Sequence, residues 1–278
     1  MARGSGSTVF LVVAILLGLS AYAATATDPA SAAVERSTPK VPNVNWEPDA
    51  KAARNYARGR LGGVSFAITE VDGRLRDFHA GRREIMASTF KAMVLAAYLR
   101  RNSVEDRALT APEKGLLSPM IRASDNNATT QLRNTVGMAA INRLAKKAGM
   151  RSFSQSIRWG LSKTSARDQA RFMQHYESFI PKRHQSYARR LLATIVPSQR
   201  WGVARARPTG WNIHFKGGWG VLGVNHQVGF LKRNRCRVGF AILTQSSSSH
   251  GYGTQTLQGV ASRLFRGLGK LRIRRACG

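Results

Sequence analysis

Acidic residues are scarce in this chain. Its 278 residues include 14 Asp and Glu against 44 Lys and Arg, a formal net charge of +30. Such an excess invites a nucleic-acid reading. The basic residues are dispersed, however, with only short clusters such as Arg272, Arg274 and Arg275. Neither zinc-finger spacing nor an aromatic RNA-binding signature accompanies them, so specific nucleic-acid binding is set aside. The charge is read as a solvated, Arg-rich surface, with attraction to anionic cell-envelope polymers as the functional alternative. Cysteine is nearly absent. Cys236 and Cys277 are the two, and they are not spaced as metal ligands. The six histidines form no metal-ligand spacing either. A glycine-rich phosphate loop and internal repeats are lacking, and residues 246–249 with His250 form a polar loop, not a Ser-His-Asp signature. No metal and no cofactor are expected.

What is present begins at the N-terminus. Arg3 precedes an apolar run over residues 9–19, and small residues follow, including Ala21, Ala23, Ala24 and Ala26. The run falls short of the roughly 20 residues a membrane span needs. A charged start, a short apolar core and Ala-x-Ala options are the layout of a secretory signal, assigned here to residues 1–26. A retained N-terminal anchor is the alternative. Either places the protein outside the cytoplasm, secreted or in the cell envelope. Residues 27–48, rich in Ala, Pro, Ser and Thr, read as a linker. Residues 49–278 remain, enough for one large domain or two lobes sharing a cleft.

Along that stretch, residues 63–71 read as a strand, Asp72-Gly73 as a hairpin turn and 74–79 as the returning strand. Residues 88–100 read as a helix apolar all round, which is the mark of a buried helix. Residues 111–197 are dominated by helical patterns, among them 128–133, 138–148 and 166–177, the last opened by a capping box from Ser165 to Asp168. Strand patterns return at 211–216, 224–231 and 237–245, and a helix over 254–268 follows. Strands at both ends with helices between them predict an α/β (α+β) fold: one antiparallel sheet lobe, about 49–85 and 205–278, with a helical lobe, about 86–204, inserted. The last strand and last helix are nearly equal in length, at about 3.3 Å and 1.5 Å per residue. A helix packed back along that strand brings Cys277 towards Cys236, and outside the cell the pair is expected to form a disulfide. Two free thiols are the alternative.

Three short motifs carry chemistry. In Ser88-Thr-Phe-Lys91, serine and lysine three apart share a helix face. Lys91 is the only charge between Glu84 and Arg100. Burial disfavours its ammonium form, and a neutral amine beside a serine hydroxyl can take its proton. Ser124-Asp125-Asn126 supplies a second hydroxyl and an amide, although all three residues are also good helix caps. Lys216-Gly217-Gly218-Trp219 ends a strand. Its lysine can attract a carboxylate, its glycines leave the strand edge open, and the Trp219 N–H can point at an oxyanion together with that of Ser88. Each motif alone is weak: a snorkelling lysine, a polar cap or a glycine-rich turn would account for it.

Together, in this order, they resemble the Ser-x-x-Lys, Ser-Asp-Asn, Lys-Thr-Gly set of the class A β-lactamases and their penicillin-binding relatives. The resemblance covers about residues 56–265. It implies a five-stranded antiparallel sheet flanked by helices, with Ser88 as acylated nucleophile, Lys91 as general base and Ser124 as proton relay. Asn126 would orient substrate, Lys216 would bind its carboxylate or support Ser124, and the Ser88 and Trp219 amides would form the oxyanion hole. The implied substrate is a β-lactam or a D-Ala-D-Ala-like wall peptide, and the protein would act as a monomer. Two departures matter. Gly217 lacks the hydroxyl of the family threonine. The family also carries a deacylating glutamate on a loop before a Thr-rich helix start, and here residues 153–163 contain no Asp or Glu. Asp168 and Glu177 lie beyond that loop and are not promoted. These departures favour a D-alanyl-D-alanine carboxypeptidase-like enzyme with slow deacylation over an efficient β-lactamase. A non-catalytic cell-wall-binding module is the third reading. Trp159, Trp201 and Trp219 are equally compatible with lining the cleft and with packing, and His214 is expected on a strand face.

Overall fold

The structure, a computed structural model, describes residues 46–271. The expected signal, nearly all of the expected linker and Cys277 lie outside the described residues. Cys236, the other half of the expected pair, is buried at the start of a strand. Among the described residues no helix is long and apolar enough to cross a membrane.

The chain runs α1 (Ala50–Arg58), β1 (Gly63–Thr69), β2 (Leu75–Phe78), β3 (Glu84–Ile85), α2 (Phe90–Leu99), α3 (Ala111–Arg122), α4 (Asn126–Val136), α5 (Met138–Lys147), β4 (Lys163–Thr164), α6 (Ala166–Gln174), α7 (Lys182–Ala193), β5 (Asn212–Trp219), β6 (Asn225–Arg233), β7 (Cys236–Gln245) and α8 (His250–Leu264). Five strands form one antiparallel sheet in the order β2-β1-β7-β6-β5, so the two ends of the sequence meet where β1 pairs with β7. Strand β1 is buried along almost its whole length instead of alternating, because helices cover both faces of the sheet. Neighbouring residues of β7 show the two sides. Gly239 lies against the α6 backbone, where an added Cβ would meet Ala170 O at 2.3 Å and Gln174 N at 2.6 Å. Phe240 points the opposite way and packs edge-on against Phe265, just past α8, with ring centroids 5.4 Å apart. Helix α1 packs beside α8. Trp46, within the expected linker, is buried and donates its indole N–H to Arg266 O at 2.9 Å.

The expected helix over 88–100 divides. Residues Ala87–Thr89 form a 3-10 turn, and the α-helix proper is Phe90–Leu99, every residue of it buried. Complete burial follows from its composition: Phe90, Met93, Leu95 and Leu99 each contribute roughly 1.5–3 kcal/mol when taken from water. Four further expectations are corrected. The last helix starts at His250, four residues early, because Ser249 Oγ accepts from Tyr252 N and caps it. The capping box on α6 is half made. Ser165 Oγ accepts from Asp168 N, but the Asp168 carboxylate is taken by Ser152 N at 2.7 Å. Helix α6 stops at Gln174, ahead of a 3-10 turn at Tyr176–Phe179. Strand β5 also continues through Gly217 and Gly218 to Trp219 on the sheet edge.

Close backbone packing at Gly239 gives a stability prediction. Gly239→Ala is expected to cost about 1–3 kcal/mol, because the new methyl meets helix backbone that cannot swing aside. Gly81→Ala, with nothing within 4 Å of its added Cβ, should stay within about 0.5 kcal/mol of the parent. Equal denaturant midpoints for the two variants would contradict the packing described.

Candidate active site

The site grows from the N-terminal end of α2. Ala87 takes a left-handed backbone, φ 45°, a conformation that costs an L-residue on the order of 1–3 kcal/mol. The surroundings hold it there. Met86 N donates to Ser162 O at 2.7 Å, and Thr89 Oγ1 donates back to Met86 O at 2.6 Å. Ser88 follows on the 3-10 turn, and Lys91 lies one turn on, its Nζ 3.0 Å from Ser88 Oγ.

Lys91 is wholly buried, yet its amine is surrounded by oxygen. Besides Ser88 Oγ, it lies 2.5 Å from Ser124 O, 3.0 Å from Ser124 Oγ and 2.8 Å from Asn126 Oδ1. Ser124 supplies two of these contacts because its backbone is left-handed, φ 62°, in the short link between α3 and α4. Asn126 is the first residue of α4, and Asp125 caps that helix by accepting from Ala128 N at 2.7 Å. Burial lowers the Lys91 pKa from its ordinary value to about 7, while the nearby Asp125 carboxylate pulls the other way. The partners suit the neutral form. Ser124 O and Asn126 Oδ1 can only accept, so they take the two N–H bonds of a neutral amine, leaving its lone pair for a hydroxyl.

Opposite stands the end of β5. An added Cβ at Gly218 would lie 2.8 Å from Ser88 N and 2.9 Å from Thr89 N, so only glycine lets the strand come this close to the serine turn. At Gly217 an added Cβ would meet the Trp201 ring at 3.3 Å. Lys216 is fully buried and donates to Gly217 O at 3.0 Å. Burial first, and the nearby Lys91 second, push its pKa well below the ordinary lysine value. Trp219 reaches the cleft, and Trp201 packs edge-on against it, centroids 5.6 Å apart. The cavity is about 580 Å³, bounded by Ser88, Asn126, Thr130, Trp159 and Trp219 among others.

The remaining wall is the segment between α5 and α6. It is drawn tight: Ser154 and Lys163 exchange backbone hydrogen bonds at 3.0 and 2.8 Å, and β4 pairs with β3 just before the serine turn. Trp159 projects from it. Its ring stacks near-parallel to Phe90 at 6.3 Å, its indole N–H donates to Thr130 Oγ1 at 3.1 Å, and Lys91 Nζ lies 5.0 Å from the ring centroid. An aromatic side chain therefore fills the flank of the cavity on this side.

A family model described as the β-lactamase enzyme family matches residues 106–268. The chain belongs to that family. The fold is shared with solved structures at low identity. The β-lactamase from Sphaerobacter thermophilus is 21% identical, with a TM-score of 0.70 over 80% of this chain and 97% of that one. The structure of PBP-A is 16% identical, with a TM-score of 0.67 over 80% of this chain and 96% of that one. The class A β-lactamase from Mycobacterium abscessus is 16% identical, with a TM-score of 0.69 over 80% and 99%. No curated protein matches the chain.

In this β-lactamase-family chain the structure gathers Ser88, Lys91, Ser124 and Asn126 into one hydrogen-bonded group, with Gly218 against the serine turn. Lys216 does not line the cavity; it is buried on β5 with its amine turned to Gly217 O. Asp168 is committed to Ser152 N, and Glu177 pairs with Arg189, Lys232 and Arg237. Neither reaches the serine. His214 stacks on Phe230 at 4.6 Å and shares a hydrogen bond with Arg189 O at 3.0 Å; burial lowers its pKa to about 4. Sequence reasoning passed over Thr130. Its spacing of four from Asn126 puts both on one face of α4, and that was the available signal.

The Lys91 environment predicts a titration. With ¹³C-labelled lysine, the Lys91 ε-carbon should titrate with a midpoint near 7. Asp125→Asn, which keeps a capping oxygen but removes the charge, should move that midpoint lower. A midpoint near 10 in the parent would contradict a dry, neutral amine.

Proposed function

We propose that this protein is an exported serine hydrolase that opens β-lactams, or cleaves a D-Ala-D-Ala-like amide, through a covalent ester on Ser88, and releases that ester slowly. One observation carries the reading: a buried lysine amine, its pKa lowered to about 7, within 3.0 Å of two serine hydroxyls.

The neutral Lys91 amine takes the proton from Ser88 as Oγ attacks the substrate carbonyl. The negative charge that develops on the carbonyl oxygen is met by the Ser88 and Trp219 amides. Ser124 hands a proton to the departing nitrogen and is resupplied by the Lys91 ammonium, so the C–N bond breaks with a neutral amine leaving. Asn126 and the glycine edge of β5 hold the substrate beside Trp219. Lys216, buried behind that edge, steadies it through its bond to Gly217 O. Gly217 offers no hydroxyl to a substrate carboxylate, which weakens the hold on β-lactam acids. Hydrolysis of the ester then needs an activated water. The loop on that side presents Trp159 and no carboxylate, which leaves Lys91 as the base at hand and supports long-lived acyl-enzyme.

Intact mass spectrometry after incubation with a fluorescent penicillin should show one adduct on the parent and none on Ser88→Ala. Lys91→Ala should slow acylation by about 10²–10⁴-fold. Because the amine must be neutral, the acylation rate should rise about tenfold per pH unit below 7 and level off above it. Turnover of a chromogenic cephalosporin should appear as a burst of one equivalent and a slow steady rate. An equal adduct on Ser88→Ala would overturn the assignment.

A further inference from the structure

A second cavity, of about 700 Å³, opens at the other end of the helix that begins beside Ser88. Helix α2 spans 10 residues, so this opening lies roughly 15 Å along the axis from the serine turn. Four cations line it: Arg100 and Arg101 just past α2, and Arg143 and Lys147 on α5. Asn102 and Ser103, both exposed, add polar groups at its rim. On α5, Ala140, Arg143, Leu144 and Lys147 recur at helical spacing, so one face presents an apolar floor with two cations over it.

No carboxylate lines the cavity. Among the described residues none of the four cations forms an ion pair. The C-terminal ends of α2 and α5 favour a nearby cation, which accounts for single basic residues there. It does not account for cations from two helices converging on one concavity without a counter-charge. Like charges gathered this way repel one another until an anion with several charges bridges them. Arginine forks match phosphate oxygens in pairs. No lining residue is aromatic, so the cavity lacks the stacking platform on which single-stranded nucleic acids are held.

We propose that this cavity is a binding site for a base-free phosphate polymer, a polyphosphate or polyphosphodiester chain. Phosphates seat against Arg100, Arg101, Arg143 and Lys147, and the chain runs out over the helical lobe. The assignment is independent of the chemistry at Ser88. It localises to one concavity what the net charge of +30 would otherwise spread over the whole surface.

The test uses the full chain and fluorescently labelled linear inorganic polyphosphate, followed by anisotropy at low and moderate salt. The double variant Arg143→Glu, Lys147→Glu is compared with Arg171→Glu, Arg183→Glu, two exposed positions on α6 and α7 outside the cavity. Both doubles lower the net charge equally. All four side chains are exposed, and an unchanged unfolding midpoint verifies that each variant is folded. The expected result is a loss of at least about tenfold in affinity for the cavity double and less than about threefold for the control, with binding by the parent weakened by salt. Equal losses in the two doubles would overturn the site in favour of a diffuse field. An oligothymidylate binding as tightly as polyphosphate of equal charge, and lost in the same double, would also overturn it, in favour of a nucleic-acid site.

Discussion

The protein buries a lysine amine directly beside the Ser88 hydroxyl. Helix α2 is buried on every side, and its single cationic side chain has nowhere to snorkel, so the cost of an ammonium ion there has to be met locally or avoided. Four oxygens from Ser88, Ser124 and Asn126 meet part of it. Lowering the pKa to about 7 avoids much of the rest. A fully apolar helix is a good core element and a poor host for charge, and that conflict is what lowers the lysine's pKa.

Other features keep that amine in register with the serine. The left-handed Ala87 aims the turn, and its strain is held by bonds to the segment ahead of β4 and by the close approach of Gly218. The left-handed Ser124 bends its own carbonyl and hydroxyl onto the same nitrogen. Strained backbone on both sides of one amine persists only where the surrounding structure over-determines it. Three separate segments converge there, and a shift in any one would open a gap at the lysine.

The flank beside the lysine is built from a single segment. A tight loop carries Trp159, anchored through Thr130 and stacked along Phe90, to the side of the lysine. An aromatic ring there shapes the cleft and presents an electron-rich face to the amine, but it cannot take a proton from water. The same loop, tied by Met86 N to Ser162 O, also braces the serine turn. Wall and support are one element.

Much of this was legible in the residues. A buried helix with one lysine, the order of the three motifs, the strands at both ends and the lack of acid in the loop are local or compositional facts, readable because helix and strand periods are fixed by backbone geometry. Other features depend on distant segments meeting. No local pattern forecasts that Ala87 is left-handed, that Asp168 turns from its capping box to Ser152, or that Trp159 lies beside Lys91 and not in the core. Those outcomes are set by competition among tertiary partners, and the winner is decided only when the sheet, the helical lobe and the loop are packed together. The sequence by itself determined which groups are available to react; the tertiary structure decided their distances, and with them the lowered pKa of Lys91, because desolvation is a property of the assembled surroundings and not of the residue.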